Sequence, residues 1–404
     1  MIDVLVIGAG LAGLQCARVL ERAGRNVTVV EATDDVGGRV RTEVVDGFRC
    51  DLGFQLLNPA YPEARHQLNL AALELRSFGR GVAVRRPNGL VELGLDPASL
   101  RRAVHTPYAD HRQLLALARW TAPALGSVAR LLTAPDRTLA ESFDAAGFHG
   151  PLRAEVVEPF LAGVLLESAG TTSAQFARLL IRSFALGTPA VPAVGMSAIP
   201  RQLASALRQP VELDTPVTGL ERDGAAWVAQ TPRGERAARV VVVATDPTTA
   251  ARLAPVPAPV MKGVVTWWFA APVAPTASTY LAVDARPGAV VNTAVMSNVA
   301  PSYAPAGQHL VVASALLADA AGSPPVEAVR TQLAGIYDCP TDDWRLLTTH
   351  AVREALPVMP PPLMVRGQVR FGAGLYVCGD HRDTASIQGA LVSGRRTAEV
   401  ILGG

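Results

Sequence analysis

Gly8, Gly10 and Gly13, with Glu31 further on, have the types and spacing to hold a nucleotide diphosphate. Gly8 permits a tight turn after a strand. Gly10 lets the backbone approach a pyrophosphate with no Cβ in the way, and Gly13 lets helix and strand pack closely. Leu11 and Ala12 open the helix behind the turn, whose free N–H groups and positive dipole end face the phosphates. Glu31, followed by Ala32, stands at the end of the next strand. There a carboxylate accepts hydrogen bonds from ribose hydroxyls and disfavours a 2′-phosphate.

A second set follows directly. Gly37, Gly38 and Arg39 give another phosphate-proximal turn, in which Arg39 can pair with the diphosphate or lie beside a flavin. Asp51-Leu52-Gly53-Phe54-Gln55 offers a further close backbone approach, where a flavin ring could rest. This second set points to FAD over NAD.

These residues need a strand–turn–helix–strand unit to position them. IDVLVIG is a short β-branched strand, LAGLQCARVLERAG a helix closed by Gly24, and NVTVVEA the second, parallel strand. Residues 60–190 are mostly helical in pattern, with PEARHQLNLAALEL and RQLLALARWTAPALGSVARLL as helices and breaks at Pro151 and Pro159. VGMSAIPRQLASAL then reads as a turn and helix. VELDTPVTGLERDG, AAWVAQTP, RVVVVAT, KGVVTWWFA, AVVNTAVMS and HLVVASALL read as strands. PVEAVRTQLAGIY is a helix, and LYVCGD leads through a loop to the helix GALVSGRRTAEVIL.

The order and spacing of E-A-x(4)-G-G-R and D-x-G resemble the superfamily of flavin amine oxidases, phytoene desaturases and protoporphyrinogen oxidases. Three more segments agree: VGMSAIPRQLASAL (with Val194 where the family has a first glycine), TPVTGLERDG, and YVCGD followed by SIQGALVSG. M296-S-N-V-A-P-S-Y and D46-G-F-x-C-D-L-G-F-Q are similar to an uncharacterised bacterial and plant branch of it. The resemblance implies an α/β fold: a Rossmann-like FAD-binding domain (residues 1–75, 190–250 and 355–404) with an inserted α+β substrate or cap domain (76–189 and 251–354). It implies that Val217 contacts the adenine. Gly379 and Asp380 would meet the ribityl or phosphate region. The helix opened by Ile387, Gln388 and Ala390 would face the pyrimidine end of the isoalloxazine. Cys378 is not where this family attaches flavin covalently, so FAD is expected to be non-covalent.

The flavin carries the redox chemistry, and the protein supplies placement, electrostatics and sometimes a base. Lys262, the only lysine in the chain, precedes GVVTWWFA much as a lysine near flavin N5 does in amine oxidases. The alternative is an exposed residue at a strand start. His381, after Asp380, is a candidate base or a solvated loop residue. Trp267 and Trp268 must point to opposite faces of one strand, one toward the core and one toward the substrate cavity or solvent. Asn292 and Tyr303 could line the same site. Where amine oxidases place an aromatic ring before the C-terminal motif, this chain has Ser386 and Ile387, which weakens amine oxidation as the reaction.

The expected function is FAD-dependent removal of hydride from a C–C or C–N bond of a mostly apolar small molecule, with oxygen, a quinone or another electron acceptor. Amine oxidation with peroxide release, polyene desaturation or redox-neutral isomerisation, and a flavin-binding protein without turnover are the alternatives. The apolar, arginine-spaced helices at 112–133 read as a cap over the flavin, with a hydrophobic tunnel or a peripheral membrane contact as the alternative.

Composition excludes other classes. Hydrophobic residues make up 49% and charged residues 18% of the 404, which suits a large core. A net charge of +2 without a basic block gives no phosphate-neutralising patch, so no nucleic-acid partner is expected. The four cysteines form no C-x-x-C pair and no metal site is expected. With no apolar run of about 18 residues and no signal-like start, a cytoplasmic location with reduced thiols is expected.

Overall fold

A computed structural model of the chain describes residues 1–94, 96–317 and 322–403. The β-branched run of β1 (Ile2–Ile7) turns at the glycines into α1 (Leu11–Arg22), which returns to β2 (Val27–Val30). The hairpin β3 (Thr42–Val45) and β4 (Phe48–Asp51), helix α2 (Pro62–Gln67), strand β5 (Arg76–Ser77) and the hairpin β6 (Gly81–Arg86) and β7 (Gly89–Gly94) follow. A helical stretch runs through α3 (Pro97–Ala103), α4 (His111–Leu125), α5 (Val128–Thr133), α6 (Leu139–Ala145), a π-helical turn at Leu152–Val157, α7 (Glu158–Leu165) and α8 (Ala174–Leu186). Next come β8 (Ala190–Val191), α9 (Ala198–Ala204), β9 (Gly219–Asp223), β10 (Ala226–Gln230), β11 (Arg236–Val243) and α10 (Pro247–Leu253). Then β12 (Met261–Ala271), β13 (Leu281–Val283), β14 (Val290–Val295), α11 (Met296–Val299), β15 (His309–Leu317), α12 (Val326–Tyr337) and β16 (Arg345–Pro357). The last elements are β17 (Arg370–Gly372), β18 (Leu375–Val377) and α13 (Ile387–Gly403).

Two large sheets organise these elements. The first has the order β17-β18-β11-β1-β2, with β10 and β9 added beside β11. β1 is parallel to both β11 and β2, and β18 is parallel to β11. Such strands are buried on both faces, which is why Val241, Val242 and Val243 are all fully covered. α13 lies against α1 so closely that a Cβ on Gly394 would stand 2.2 Å from the Ala12 carbonyl oxygen.

The second sheet has the order β16-β12-β15-β14-β13-β6-β7. Alternation splits its side chains between two cores. Val265, Trp267, Phe269 and Ala313 pack under Val329, Leu333 and Ile336 of α12. Trp268, Ala270, Ala294 and Val312 face the other way and join Leu14, Phe48, Cys50 and Leu391 in the core shared with the first sheet's helices. The helical insertion has its own aromatic core of Trp120, Phe143, Phe148 and Phe176. Side-chain caps start its helices: Asp110 accepts from the Arg112 and Gln113 N–H groups at 3.0 Å, and Thr138 and Glu141 form a reciprocal box.

The α/β class expected from sequence is the one observed, while several local expectations change. The helix expected over residues 62–75 stops at Gln67. Asn69 turns the chain by accepting from the Ala72 N–H at 3.2 Å, a local bond that competes with helix. Pro151 and Pro159 do not break the helical stretch, because a wider π-helical turn lies between them. In the expected strand VELDTPVTGLERDG only Gly219–Asp223 joins a sheet as a strand. Glu212 instead bridges to the end of β2, its N–H donating to the Val29 carbonyl and its carbonyl accepting from the Glu31 N–H, both at 2.9 Å.

Candidate active site

At the N-terminus of α1 the three glycines have three different reasons to be there. Gly8 has φ +105°, and a Cβ would lie 2.7 Å from the Ala244 carbonyl oxygen. A Cβ on Gly13 would lie 2.1 Å from the Gly8 carbonyl oxygen. Around Gly10 nothing lies within 4 Å of the Cβ position. The first two glycines are imposed by packing, and the third leaves open space in front of the helix. No side chain caps α1, so its first N–H groups stay available. Leu11 and Ala12 are buried in the turn behind them.

The buried Glu31 carboxylate fixes this turn. One oxygen accepts from the Ala9 N–H at 2.7 Å, and the other from the Thr33 N–H and hydroxyl at 3.0 Å. The oxygen that meets Ala9 keeps acceptor capacity for a further donor. Ala32, next to it, is exposed. Val217 sits half-buried beyond the Glu212–Thr215 segment, whose Thr215 N–H donates to the Glu31 carbonyl at 2.8 Å.

Gly37 and Gly38 bring the second turn against the first. The Gly37 N–H donates to the Ala9 carbonyl at 2.9 Å, and the Gly38 Cβ position would be 3.6 Å from the Gly10 Cα. Arg39 then crosses to the other end of the chain. Its guanidinium donates to Asp380 Oδ1 at 2.6 Å and to the Ala355 carbonyl at 2.8 Å. Gln55 donates to the Arg39 carbonyl at 2.7 Å, while its own amide oxygen is buried without a partner. The motifs at 37–39, 53–55 and 379–380 are therefore one constellation. Beyond it, Ser386 caps α13 by accepting from the Gly389 N–H at 3.0 Å. The Gln388 amide oxygen accepts from the Glu63 N–H at 2.9 Å, tying α13 to α2. Ile387 and Ala390 pack half-buried on the shared core.

Asp51 is a buried hub. Its carboxylate accepts from the Thr42 hydroxyl at 2.6 Å, the Met196 N–H at 3.0 Å and the Tyr303 hydroxyl at 2.9 Å. Burial pushes its pKa up to about 6, and these hydrogen bonds hold back a larger rise. Thr42 and Ser197 exchange bonds, and a Cβ on Gly195 would meet the Thr42 hydroxyl at 2.5 Å, which explains the glycine in VGMS. Gly53 follows at φ +77°, its Cβ position facing Val264 of β12 at 3.7 Å. Phe54 packs edge-on against Phe78.

The catalytic and substrate candidates are spread over the same region. Lys262 is half-buried, donating to the Leu165 carbonyl at 3.0 Å and the Thr172 hydroxyl at 2.9 Å. Burial lowers its pKa, and Glu167 partly offsets this. His381 has its ring folded back on Gly379, with both ring nitrogens buried and unpartnered, and burial lowers its pKa to about 4. It is neutral at physiological pH. Trp267 and Trp268 do point to opposite faces, but both are buried, at 2% and 0% exposure, and neither reaches solvent. Asn292, 4% exposed, lies against Gly163 of α7. Tyr303 is committed to Asp51, not to an open pocket.

Sequence reasoning missed Asp51 as a hub and missed Thr266, Ser314 and His350, which stand in direct register with one another across three strands. The signal was there for two of them. Thr266 and Ser314 are the polar breaks in the buried apolar runs GVVTWWFAA and HLVVASALL. Among the described residues no group of three or more His, Cys, Asp or Glu side chains could hold a metal ion.

Comparison with known proteins agrees with this geometry. Segments of the chain are similar to a putrescine oxidase of Kocuria rosea (51% identity over 61 residues) and an L-amino-acid oxidase of Echis ocellatus (41% over 78 residues). Those matches cover 15% and 19% of this chain and only 13% and 16% of the relatives' own length. Solved structures match over the whole chain. A putative protoporphyrinogen oxidase from Exiguobacterium sp. 255-15 superposes with a TM-score of 0.73 at 17% identity, covering 100% of this chain and 99% of that one. A cyclohexylamine oxidase from Brevibacterium oxydans IH-35A gives 0.69 at 18%, with the same coverage. At such identity these structures speak for the fold alone. The family model for flavin containing amine oxidoreductases matches residues 11–402, and the chain belongs to that family.

Proposed function

We propose that this chain binds FAD non-covalently and uses it to remove hydride from a C–C or C–N bond of a mostly apolar small molecule. The observation that carries this reading is the open space at Gly10, bounded by an uncapped helix N-terminus and by Glu31. That space suits a diphosphate with its ribose on the carboxylate side. The Arg39–Asp380 pair extends the same surface toward Gly53, Gln55 and the start of α13. Gly8 to Ala12, Glu31, Val217, Gly37 to Arg39, Gly379 and Asp380 would hold the cofactor. Ile387, Gln388 and Ala390 would stand at its flavin end. Cys378 is fully buried in the core, which supports a non-covalent attachment.

FAD, when bound, accepts the hydride on its ring system. The chain's own part is to fix the cofactor, exclude water and hold polar groups in place. A neutral His381 offers one N–H donor and one acceptor nitrogen beside Asp380, and Lys262 offers a partly desolvated amine on the substrate-side sheet. Residues 1–75, 190–250 and 355–404 would form the cofactor unit, with 76–189 and 251–354 as the cap. Oxygen or a quinone would reoxidise the flavin, and the cytoplasm is the proposed location. No helix among the described residues is long and apolar enough to cross a membrane.

Amine oxidation is the second reading, favoured by the names of the relatives and opposed by Ser386 and Ile387 where the family's aromatic ring would stand. The test is direct. Purified protein should be yellow and release FAD on heating, and bound flavin should bleach anaerobically with a substrate from a panel of apolar amines, polyenes and other compounds with an oxidisable C–C bond. Colourless protein that cannot be reconstituted with FAD overturns the reading. Peroxide release with amines alone would select the second.

A further inference from the structure

One face of β12 carries a row of polar side chains inside an apolar interior. His350 of β16, Thr266 of β12, Ser314 of β15 and Asn292 of β14 stand opposite one another in register across four adjacent strands. Trp268 is the next side chain on that face of β12. The two His350 ring nitrogens lie 2.8 Å from the Glu43 carboxylate and 3.3 Å from the Asp51 carbonyl. The rest of the row has no such partners. The Thr266 and Ser314 hydroxyls, the Asn292 Oδ1 and the Trp268 indole N–H are all buried without a hydrogen-bond partner.

Four unpartnered polar atoms in one patch are far from the norm for a folded interior, where such groups are nearly always paired. Directly opposed side chains on adjacent strands lie within about 5 Å of each other, so Ser314 stands between Thr266 and Asn292 and the three form a short continuous row. The patch is also in the right place. Val264, two residues before Thr266 on the same face, is the side chain that Gly53 faces at 3.7 Å. On the other side α7 covers the row. Gly163 sits so tightly on Asn292 that a Cβ would come within 2.1 Å of its Nδ2. The opposite side of α7 borders a cavity of about 170 Å³, lined by Leu139, Phe143, Leu161 and Leu165.

We propose that Thr266, Ser314, Asn292 and the Trp268 indole N–H form the polar end of the substrate site and hold an uncharged hydrogen-bonding group, a hydroxyl or carboxamide, of an otherwise apolar substrate. This rests on the flavin-dependent reading above and names its substrate class. The hydroxyls can donate or accept, the Asn292 oxygen accepts and the indole donates, which matches a group with both functions. No carboxylate stands in the row to pair an ammonium. Lys262, on the same strand, is turned toward the Leu165 carbonyl and the Thr172 hydroxyl.

The test uses the flavin-loaded protein and four probes of one chain length: 1-hexanol, hexanamide, hexylamine and hexanoate. Flavin absorbance and thermal melting are followed during each titration. Hexanol and hexanamide should shift the flavin spectrum and raise the melting temperature saturably, with the two charged probes at least about tenfold weaker. Thr266→Val and Ser314→Ala should each weaken the neutral probes by about tenfold. Both should also leave the free protein as stable or more stable, since each removes an unpartnered hydroxyl. Neutral probes that bind both variants as they bind the parent overturn the proposal. So do variants that melt lower with probe binding unchanged, which would mean the hydroxyls are satisfied by internal water. Absence of flavin would instead defeat the functional reading, and the melting shifts would still report on the row.

Discussion

The Arg39 guanidinium donates to the Asp380 carboxylate at 2.6 Å, joining two residues 341 positions apart. The Asp380 side chain is 5% exposed and Arg39 30%. Removing the cation leaves a carboxylate that is buried and unpaired. Arg39→Ala should therefore destabilise the protein by about 2–3 kcal/mol, somewhat less than a fully buried pair would cost. Arg39→Lys should recover only part of this, because the second bond to the Ala355 carbonyl needs the forked head group. Denaturant melts of the three proteins check it, and equal midpoints would show that the pair carries no weight.

Glu31→Ala should weaken FAD binding by about 1–3 kcal/mol, the range for hydrogen bonds to a charged group. Titration of deflavinated protein with FAD measures it. Because the carboxylate also holds the Ala9 N–H, Glu31→Gln should retain more affinity than Ala. Unchanged affinity in both variants removes Glu31 from the site.

Asp51 should make the fold weaken as pH rises. Its carboxyl titrates near 6 in the folded chain and near its ordinary 3.8 when unfolded. Between those values the folded state holds a proton that the unfolded state has released, so stability falls with rising pH and is level above. In full the effect is about 3 kcal/mol. His381 works in the opposite sense. Its folded pKa of about 4 lies below the ordinary 6.5, so its contribution rises with pH across that window. The two nearly cancel in the parent. Asp51→Asn should expose a rising slope between pH 4 and 6, and His381→Gln a falling one. Parallel stability profiles for all three proteins would refute both assignments.

Gly13→Ala should cost about 1–3 kcal/mol, or more if nothing relaxes, because the new methyl would meet the Gly8 carbonyl oxygen. Gly10→Ala, with open space at its Cβ, should leave the melting temperature nearly unchanged and instead weaken FAD binding. The contrast is the useful result. Two melting curves and two FAD titrations should show stability lost in one variant and affinity lost in the other.

The glycines of the proposed cofactor site were legible in the sequence because most of them answer a backbone demand. Gly8, Gly13 and Gly195 are glycines since carbonyl or hydroxyl oxygens stand where a Cβ would go. Such demands leave a local and recognisable spacing. Of the polar row on the second sheet only Asn292 was singled out, because its residues meet only through sheet register. Thr266, Ser314 and Asn292 come from three strands, and nothing local in the sequence says that those strands are neighbours. The long edge strand β16 escaped notice for a related reason: its mixed exposure leaves no continuous apolar run. Lys262 stood out as the lone lysine, yet its partners are Leu165 at the end of α7 and Thr172 in the loop before α8, far away along the chain.

The parallel pairing of β1 with β11, and the seating of α13 on α1, have a consequence for how the protein is made. β1 and α1 are made before their partners β11 and α13, which follow more than two hundred and nearly four hundred residues later. Until then the glycine turn has neither its second sheet neighbour nor the helix that backs it. Cofactor capture that needs the backed turn must therefore wait for α13, and the apolar faces of β1 and α1 need shielding until then. The contacts that complete the turn join segments made far apart in time, and such non-local contacts form slowly compared with local ones.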